Sequence, residues 1–579
     1  MSIKVSDYIA KFIAKHSSHI FVGQGGNIIH LLDSCDKHKK ITVIPSQNEQ
    51  GASIAADAYS RFKNKIGFTA ATSGPGIINI LQGIACSHFD SVATIHFSGA
   101  VVTSQIRENK KIRQVGFQEM EVVDIVKPIT KYAVLLKNKE MIRYELEKML
   151  YYSTEGRPGP ALMDLPDDIQ RSYIDEKKLK KFIPPVKKNY LASFEKKFVK
   201  LINKSKRPLV IYGNGINISN TKKDLQNFLK LSNLPFIPTW GALDILQVKQ
   251  KNNAGSFGVA ATRYGNFAIQ NSDLLIVLGS RVSTQLTGSN LKKFAPNAKK
   301  IIVDIDPAEL NRKRGLKYDL KIKIDLKIFF KRIKKYIPTN KSYNQWISNF
   351  VKWKNNYPIC PTDYLKQTNK VNAYVFMKKL SDLTGKNDVL IPDASANLIW
   401  AMQSFQPKGQ KIFTALNHSP MGYSMPALVG AHFADKNKRI ICTIGDGSMQ
   451  MNIQELETIS YFNVPAKIFV LNNNGYGLIK QTQDTWLNSN YVGVNKESGL
   501  GMPNLKKIAE AYDIETCIIK NNKEIEKKIK YVLSRKKPIY CEVKIPETQR
   551  VLPKLESGKS IENLYPLLSV EELKSNLIK

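Results

Sequence analysis

Long apolar runs are missing from this chain, so no stretch reaches the length of a membrane-spanning helix, and Met1-Ser2-Ile3-Lys4 does not open a signal peptide. A cytoplasmic protein without a membrane partner is the expectation. Cysteine is sparse: Cys35, Cys86, Cys360, Cys442, Cys517 and Cys541 are scattered without CxxC or metal-ligand spacing, which excludes a thiolate metal site and points to reduced structural thiols. Acidic residues are also short, 49 against 87 Lys and Arg, a formal charge of +38. That balance ordinarily raises nucleic acid as a partner. Here the lysine is spread along the chain, with modest clusters at Lys177 to Lys181 and Lys520 to Lys530, and no nucleic-acid module accompanies it. Compositional bias accounts for the charge, and no nucleic-acid partner is expected. Short-period repeats are absent as well.

What is present is organised around Arg439 to Gly477. An apolar run (Ile440, Ile441, Cys442, Ile444) turns at Gly445-Asp446-Gly447, and Ile453, Leu456 and Ile459 follow at helical spacing. A second run, Ile468 to Leu471, ends in Asn472-Asn473-Asn474-Gly475. This is a βαβ unit, whose right-handed crossover places both strand ends at one sheet edge. Asp446 and Asn473 offer hard oxygen ligands there, and Gly475 can turn a carbonyl to the same point. Such a set suits Mg²⁺ that completes its shell with phosphate oxygens and water.

The remaining chain alternates strand-like and helical stretches in three α/β units, each a doubly wound parallel sheet. The first covers residues 1–180, with strands expected at Ile20–Gly23, Thr42–Ile44, Gly67–Ala71, Ala93–Phe97 and Ala161–Leu165. A lysine-rich stretch from Lys187 to Arg207 reads as a linker plus a first helix. The second unit, 190–335, has strands at Pro208–Tyr212, Leu274–Leu278 and Ile301–Ile305. Lys331 to Asp363, polar and broken by Pro338, Pro358 and Pro361, reads as a second linker. The third unit covers 365–550 and shares its rhythm with the first, and 551–579 is a tail without a legible role.

Glu49 follows the strand ending at Ile44, and Ser46-x-x-Glu49 reads as a helix capping box. The string Asn48-Glu49-Gln50-Gly51 also resembles the segment of thiamine-diphosphate enzymes whose Glu contacts N1′ of the aminopyrimidine. Both readings can hold.

Further strings carry the resemblance along nearly the whole chain: Thr72-Ser73-Gly74-Pro75-Gly76, Phe117-Gln118-Glu119, Gly156-Arg157-Pro158-Gly159-Pro160, Phe294-Ala295-Pro296, Val303 to Glu309, and Met421 to Pro426. The chain resembles the acetolactate synthase branch of the thiamine-diphosphate enzymes. That resemblance implies pyrimidine-binding, central and diphosphate-binding units and a homodimer or homotetramer, with Glu49 and the Asp446 site drawn from different subunits. It further implies that a 2-keto acid, pyruvate first, loses CO₂ to the electron sink of thiamine diphosphate and that the acyl unit passes to an acceptor carbonyl.

By the same resemblance Glu49 is the N1′ partner, Gly25, Phe117 and Gln118 line the reaction pocket, and Met421 is the wedge under the cofactor. Ser73, Gly445, Gly447, Ser448 and Asn397 surround it, and Asp446, Asn473 and Gly475 hold the metal. The branch carries FAD in its central unit. Gly213, Gly215, Arg281 and Asp304 fall at strand ends there, and with Arg157 they would receive it.

The departures concern the acceptor. Where the branch's GARFDDRVTG string carries a carboxylate-binding arginine, Gly279 to Gly288 has Gln285, and where a tryptophan walls the pocket, Lys480-Gln481-Thr482-Gln483 has Thr482. Val259 is a further expected substrate contact. The phosphate-side histidine appears as Asn397. These changes imply an acceptor that need not be a keto acid and can be bulky, for example a nucleotide-linked keto sugar; true acetolactate synthesis and simple 2-keto-acid decarboxylation stay open. Lys480 or Arg263 could replace the missing charge.

Overall fold

Three parallel sheets wrapped by helices follow one another in the computed structural model, which describes residues 2–186, 193–247, 250–313, 315–338 and 341–578. The first holds β1 (His19–Val22), β2 (Thr42–Pro45), β3 (Gly67–Ala71), β4 (Thr94–Ala100), β5 (Tyr132–Leu135) and β6 (Ala161–Pro166), ordered β2-β1-β3-β4-β6-β5. The central sheet comprises β7 (Pro208–Tyr212), β8 (Phe236–Pro238), β9 (Leu274–Leu278), β10 (Lys299–Asp304) and β11 (Leu320–Lys323), ordered β8-β7-β9-β10-β11. In the third, β12 (Asp388–Pro392), β13 (Lys411–Ile412), β14 (Arg439–Gly445), β15 (Lys467–Asn472), β16 (Glu515–Ile519) and β17 (Ile539–Lys544) run β13-β12-β14-β15-β17-β16. The first and third sheets therefore have the same winding, which is the shared rhythm given its geometric form.

Inner strands such as β7 and β9 are buried at every residue, so they read as continuous apolar runs and stand where the sequence places them. The edge strands β5 and β11 escape that reading. β5 is half-buried throughout, and β11 (Leu-Lys-Ile-Lys) exposes its lysines, as an edge with one solvated face should.

The second linker is a correction. Asn344–Asn356 is a 13-residue helix, because Trp346, Phe350 and Trp353 recur at four- and three-residue spacing and bury one face in the central core. Trp346 Nε1 donates to the Pro208 carbonyl at 3.0 Å. Of the first linker, residues 187–192 lie outside the described residues, as do 339–340 of the second; the helix expected after the first is Glu195–Lys204. No helix among the described residues is long and apolar enough to cross a membrane.

The first and third units pack through helices Glu49–Lys63 and Ser424–Ala434 around Arg61, whose side chain is 8% exposed. Its Nε donates to Asp57 Oδ2 at 2.6 Å and its Nη1 to Asp90 Oδ2 at 2.9 Å and to the Thr414 carbonyl at 3.0 Å. Tyr423 of the third unit donates to Asp57 Oδ2 at 2.7 Å.

Candidate active site

In a doubly wound sheet, ligand crevices open at the carboxyl ends of strands where the winding reverses. The first sheet reverses between β1 and β3 and the third between β12 and β14. At the first crevice, helix Glu49–Lys63 begins with Glu49, whose carboxylate accepts from Asn79 Nδ2 at 2.9 Å. Gly23, just past β1, makes the room: a Cβ there would lie 2.1 Å from Glu49 Cγ. The expected capping box does not form. Asn48 is the cap, its Oδ1 accepting from Gln50 N at 2.8 Å, so the Glu49 side chain is left to point over the crevice rather than back at Ser46.

Ser73 and Gly25 meet at the same place, where Asn27 donates to Ser73 Oγ at 2.6 Å and to Thr72 Oγ1 at 3.4 Å. Ser73 and Gln118 line a pocket of about 350 Å³. Phe117 stands outside it at 82% exposure, on a loop held by Glu119, whose carboxylate accepts from Arg107 N at 2.7 Å and Val115 N at 2.6 Å.

At the second crevice, Asp446 is buried directly after β14, and its oxygens accept from Gly447 N at 2.9 Å and Gly475 N at 3.0 Å. Burial, partly offset by these bonds, pushes its carboxyl up to about 6. Asn473, one strand over and likewise buried, has no side-chain hydrogen bond among the described residues. A buried carboxylate without a counter-charge beside an unengaged amide fits a hard divalent cation. Because no group of three or more His, Cys, Asp or Glu that could hold a metal occurs among the described residues, the remaining ligands would be the Gly475 carbonyl, phosphate and water. Gly445 and Ser448 leave the approach open, with nothing nearer to a Gly445 Cβ than Ser448 Oγ at 3.9 Å.

Asn397 binds protein here: its Nδ2 donates to the Asp393 and Thr443 carbonyls at 3.0 and 2.6 Å, tying β12 to β14, while its buried Oδ1 has no partner among the described residues. Asp393, which the sequence reading passed over, accepts from Gly422 N at 3.0 Å and Ser424 N at 2.8 Å and so pins the loop that carries Met421. Glu455 was also missed. It is fully buried beside Gly51 at the start of the Glu49 helix, and burial raises its carboxyl to about 7. Neither had a signal beyond being an acidic residue near a strand end or helix start.

A cleft of about 2270 Å³ joins all three units. Arg157, Gly215, Arg281, Asp304, Val259, Gln285 and Thr482 all line it. Arg157 Nη1 pairs with Asp306 and Glu309 at 3.1 and 2.9 Å, and burial lowers the Arg281 pKa and raises that of Asp304. Gly213 does not line the cleft. It and Gly215 let the turns after β7 and β9 touch, since Cβ atoms there would lie 2.4 Å from the Gly279 carbonyl and 2.7 Å from its Cα. The cleft is larger than a typical small-molecule pocket. Within one chain it includes neither Glu49 nor Asp446, and no hydrogen bond or ion pair among the described residues joins those two.

Comparison with known proteins agrees with this geometry. The N-terminal thiamine-pyrophosphate-binding, central, and C-terminal thiamine-pyrophosphate-binding domains of thiamine pyrophosphate enzymes match residues 3–125, 196–333 and 393–543. The acetolactate synthase large subunit of Cyanidium caldarium is 31% identical over 95% of this chain and 94% of its own. That of Lactococcus lactis subsp. lactis is 29% identical over 96% and 94%, and acetolactate synthase 1, chloroplastic, of Nicotiana tabacum is 26% identical over 97% and 84%. Two crevices at matching switch points, one presenting Glu49 and the other Asp446, thus meet three family domains in order: the chain belongs to the thiamine pyrophosphate enzymes, as a thiamine-diphosphate-dependent carboligase that resembles the acetolactate synthase large subunits.

Proposed function

We propose that this protein decarboxylates pyruvate and transfers the acyl unit to an acceptor carbonyl that need not be a keto acid, such as that of a nucleotide-linked keto sugar. The observation that carries this reading is the cleft wall. Gln285 and Thr482 both line it, and they offer a neutral amide and a small hydroxyl where a second pyruvate would need a cation and a tight wall. Thiamine diphosphate, when bound, supplies the electron sink for the loss of CO₂.

The residues divide the remaining work. Glu49 holds and exchanges the proton at N1′ of the aminopyrimidine. Asp446, Asn473 and the Gly475 carbonyl would hold Mg²⁺, with Gly445, Gly447, Ser448 and Asn397 around the site. Met421 would pack under the cofactor, and Gly25, Ser73, Phe117 and Gln118 would line the reaction pocket. Arg157, Gly215, Arg281 and Asp304 would hold FAD in their half of the cleft, and Gly213 would support them by letting the turn after β7 pack against Gly279.

Because neither Glu49 nor Asp446 lines the large cleft, no hydrogen bond or ion pair among the described residues joins them, and Phe117, Val115 and Ile112 stand exposed, a homodimer or homotetramer completes the site. The six free cysteines suit a reducing cytoplasm.

Acetolactate synthesis is the second reading, favoured by identities near 30% to enzymes so named. Incubation with thiamine diphosphate, Mg²⁺ and labelled pyruvate, with and without acceptors, and mass analysis of every product separates them. CO₂ release with little acetolactate is expected. Rapid acetolactate formation from pyruvate alone overturns the acceptor reading, and free acetaldehyde alone makes the protein a simple decarboxylase.

A further inference from the structure

Neither cation that the sequence offers in place of charge at Gln285 reaches it. Lys480 is buried with its ammonium 5.2 Å from the centroid of the Tyr491 ring and does not line the cleft. Arg263 directs its guanidinium to the carbonyls of Leu564 and Pro566. Other cations do line the cleft, Lys554 among them.

The tail after β17 is not a loose end. Val551 N donates to Gln481 Oε1 at 2.9 Å while Gln481 Nε2 donates back to its carbonyl at 3.0 Å, and Gln403 Nε2 donates to the Pro553 carbonyl at 3.0 Å. Leu555 N donates to the Val259 carbonyl at 2.6 Å, and Val259 N donates to the Gln285 carbonyl at 2.9 Å. Residues 551–555 thus form a strap from the helix of Thr482 to the loop of Val259. Lys554 is the strap residue that lines the cleft.

Its ammonium has no hydrogen bond or ion pair among the described residues. Burial alone lowers the Lys554 pKa, so no carboxylate compensates the charge. A partly desolvated ammonium without a counter-ion still has its strongest interaction to make.

We propose that Lys554 recognises the anionic group of the acceptor, a carboxylate if the acceptor is a keto acid or a diphosphate if it is nucleotide-linked. The proposal deepens the carboligase reading and rests on it. Lys554 is a specificity residue supplied by the tail, two backbone hydrogen bonds from the position where Gln285 lacks charge.

The test compares the full-length protein with Lys554→Met and Lys554→Arg. With thiamine diphosphate, Mg²⁺ and pyruvate present, KM is measured for 2-oxobutanoate, which is anionic, and for acetaldehyde, which is not. In Lys554→Met the KM for 2-oxobutanoate should rise about ten- to hundredfold relative to that for acetaldehyde, and Lys554→Arg should recover most of it. Calorimetric titration of the same proteins with UDP and with 2-oxobutanoate, without thiamine diphosphate, identifies the source: loss of UDP affinity on substitution marks a nucleotide-linked acceptor, loss of 2-oxobutanoate affinity a keto acid.

Equal rises in KM for both acceptors make the strap merely structural and overturn the proposal, as do titrations in which neither probe distinguishes parent from Lys554→Met. If the parent releases no CO₂ from pyruvate, the carboligase reading falls separately, and the titrations still decide the role of Lys554.

Discussion

Arg61→Met tests how the two halves of the site are held in register. The substitution keeps most of the side-chain volume and removes a guanidinium that touches two carboxylates and the carbonyls of Cys86 and Thr414. Asp57 is fully buried, and once Arg61 is gone its carboxylate keeps hydrogen bonds from Ser87 at 2.8 Å and Tyr423 at 2.7 Å but loses its counter-charge. Breaking a buried pair from one side costs about 3–5 kcal/mol. For a cooperative unit of 150–250 residues, each kcal/mol moves the midpoint by about 2–4 °C, so a drop of about 6–20 °C is expected by scanning calorimetry. Arg143→Met is the control, because its pair with Glu147 is part-exposed at 27% and 34% and should be worth about 0–1 kcal/mol. Adding Asp57→Asn to Arg61→Met should recover part of the loss, since the unpaired charge goes with it. If Arg61→Met melts within about 2 °C of the parent, the cluster does not hold the Glu49 helix against Tyr423 and the reasoning fails.

Glu49→Gln should abolish nearly all turnover while thiamine diphosphate still binds within a fewfold of parent affinity; full turnover would return Glu49 to a helix-start role. Asp446→Ala should remove the Mg²⁺ dependence of thiamine diphosphate affinity in calorimetry, and an unchanged dependence would move the metal elsewhere. In the parent the Asp446 carboxyl lies near 6, above its ordinary 3.8, so the metal-free group is protonated below that pH. Because the metal needs the ionised form, Mg²⁺-dependent affinity should hold above about pH 6 and weaken as pH falls through it; a flat profile between pH 5 and 7 would contradict the assignment. Gln285→Arg should raise acetolactate formation from pyruvate about ten- to hundredfold, by supplying charge-assisted hydrogen bonds of about 1.5–3 kcal/mol. A parent that already makes acetolactate rapidly, with no gain from the arginine, refutes that expectation.

Much of the fold could be read from the chain because its inner strands are buried on both faces. Such strands are apolar nearly throughout, so Pro208–Tyr212 and Leu274–Leu278 announce themselves, and glycine turns mark their ends. The Asp446 and Asn473 pairing was legible for the same reason: a βαβ crossover has one hand, so two strand-end residues must meet. Edge strands and the Asn344–Asn356 helix were harder, because half their surface is solvated and lysine masks the apolar stripe. Residues whose role is set by distant partners were not legible at all. Asp393 acts on a loop 29 and 31 residues away, Asn79 reaches Glu49 from the next helix, and Lys554 meets the cleft only because the tail folds back onto Val259 and Gln481. Periodicity encodes which face of an element is buried, whereas the identity of the group that comes to lie against it depends on loop closure between segments that have no local relation in the chain.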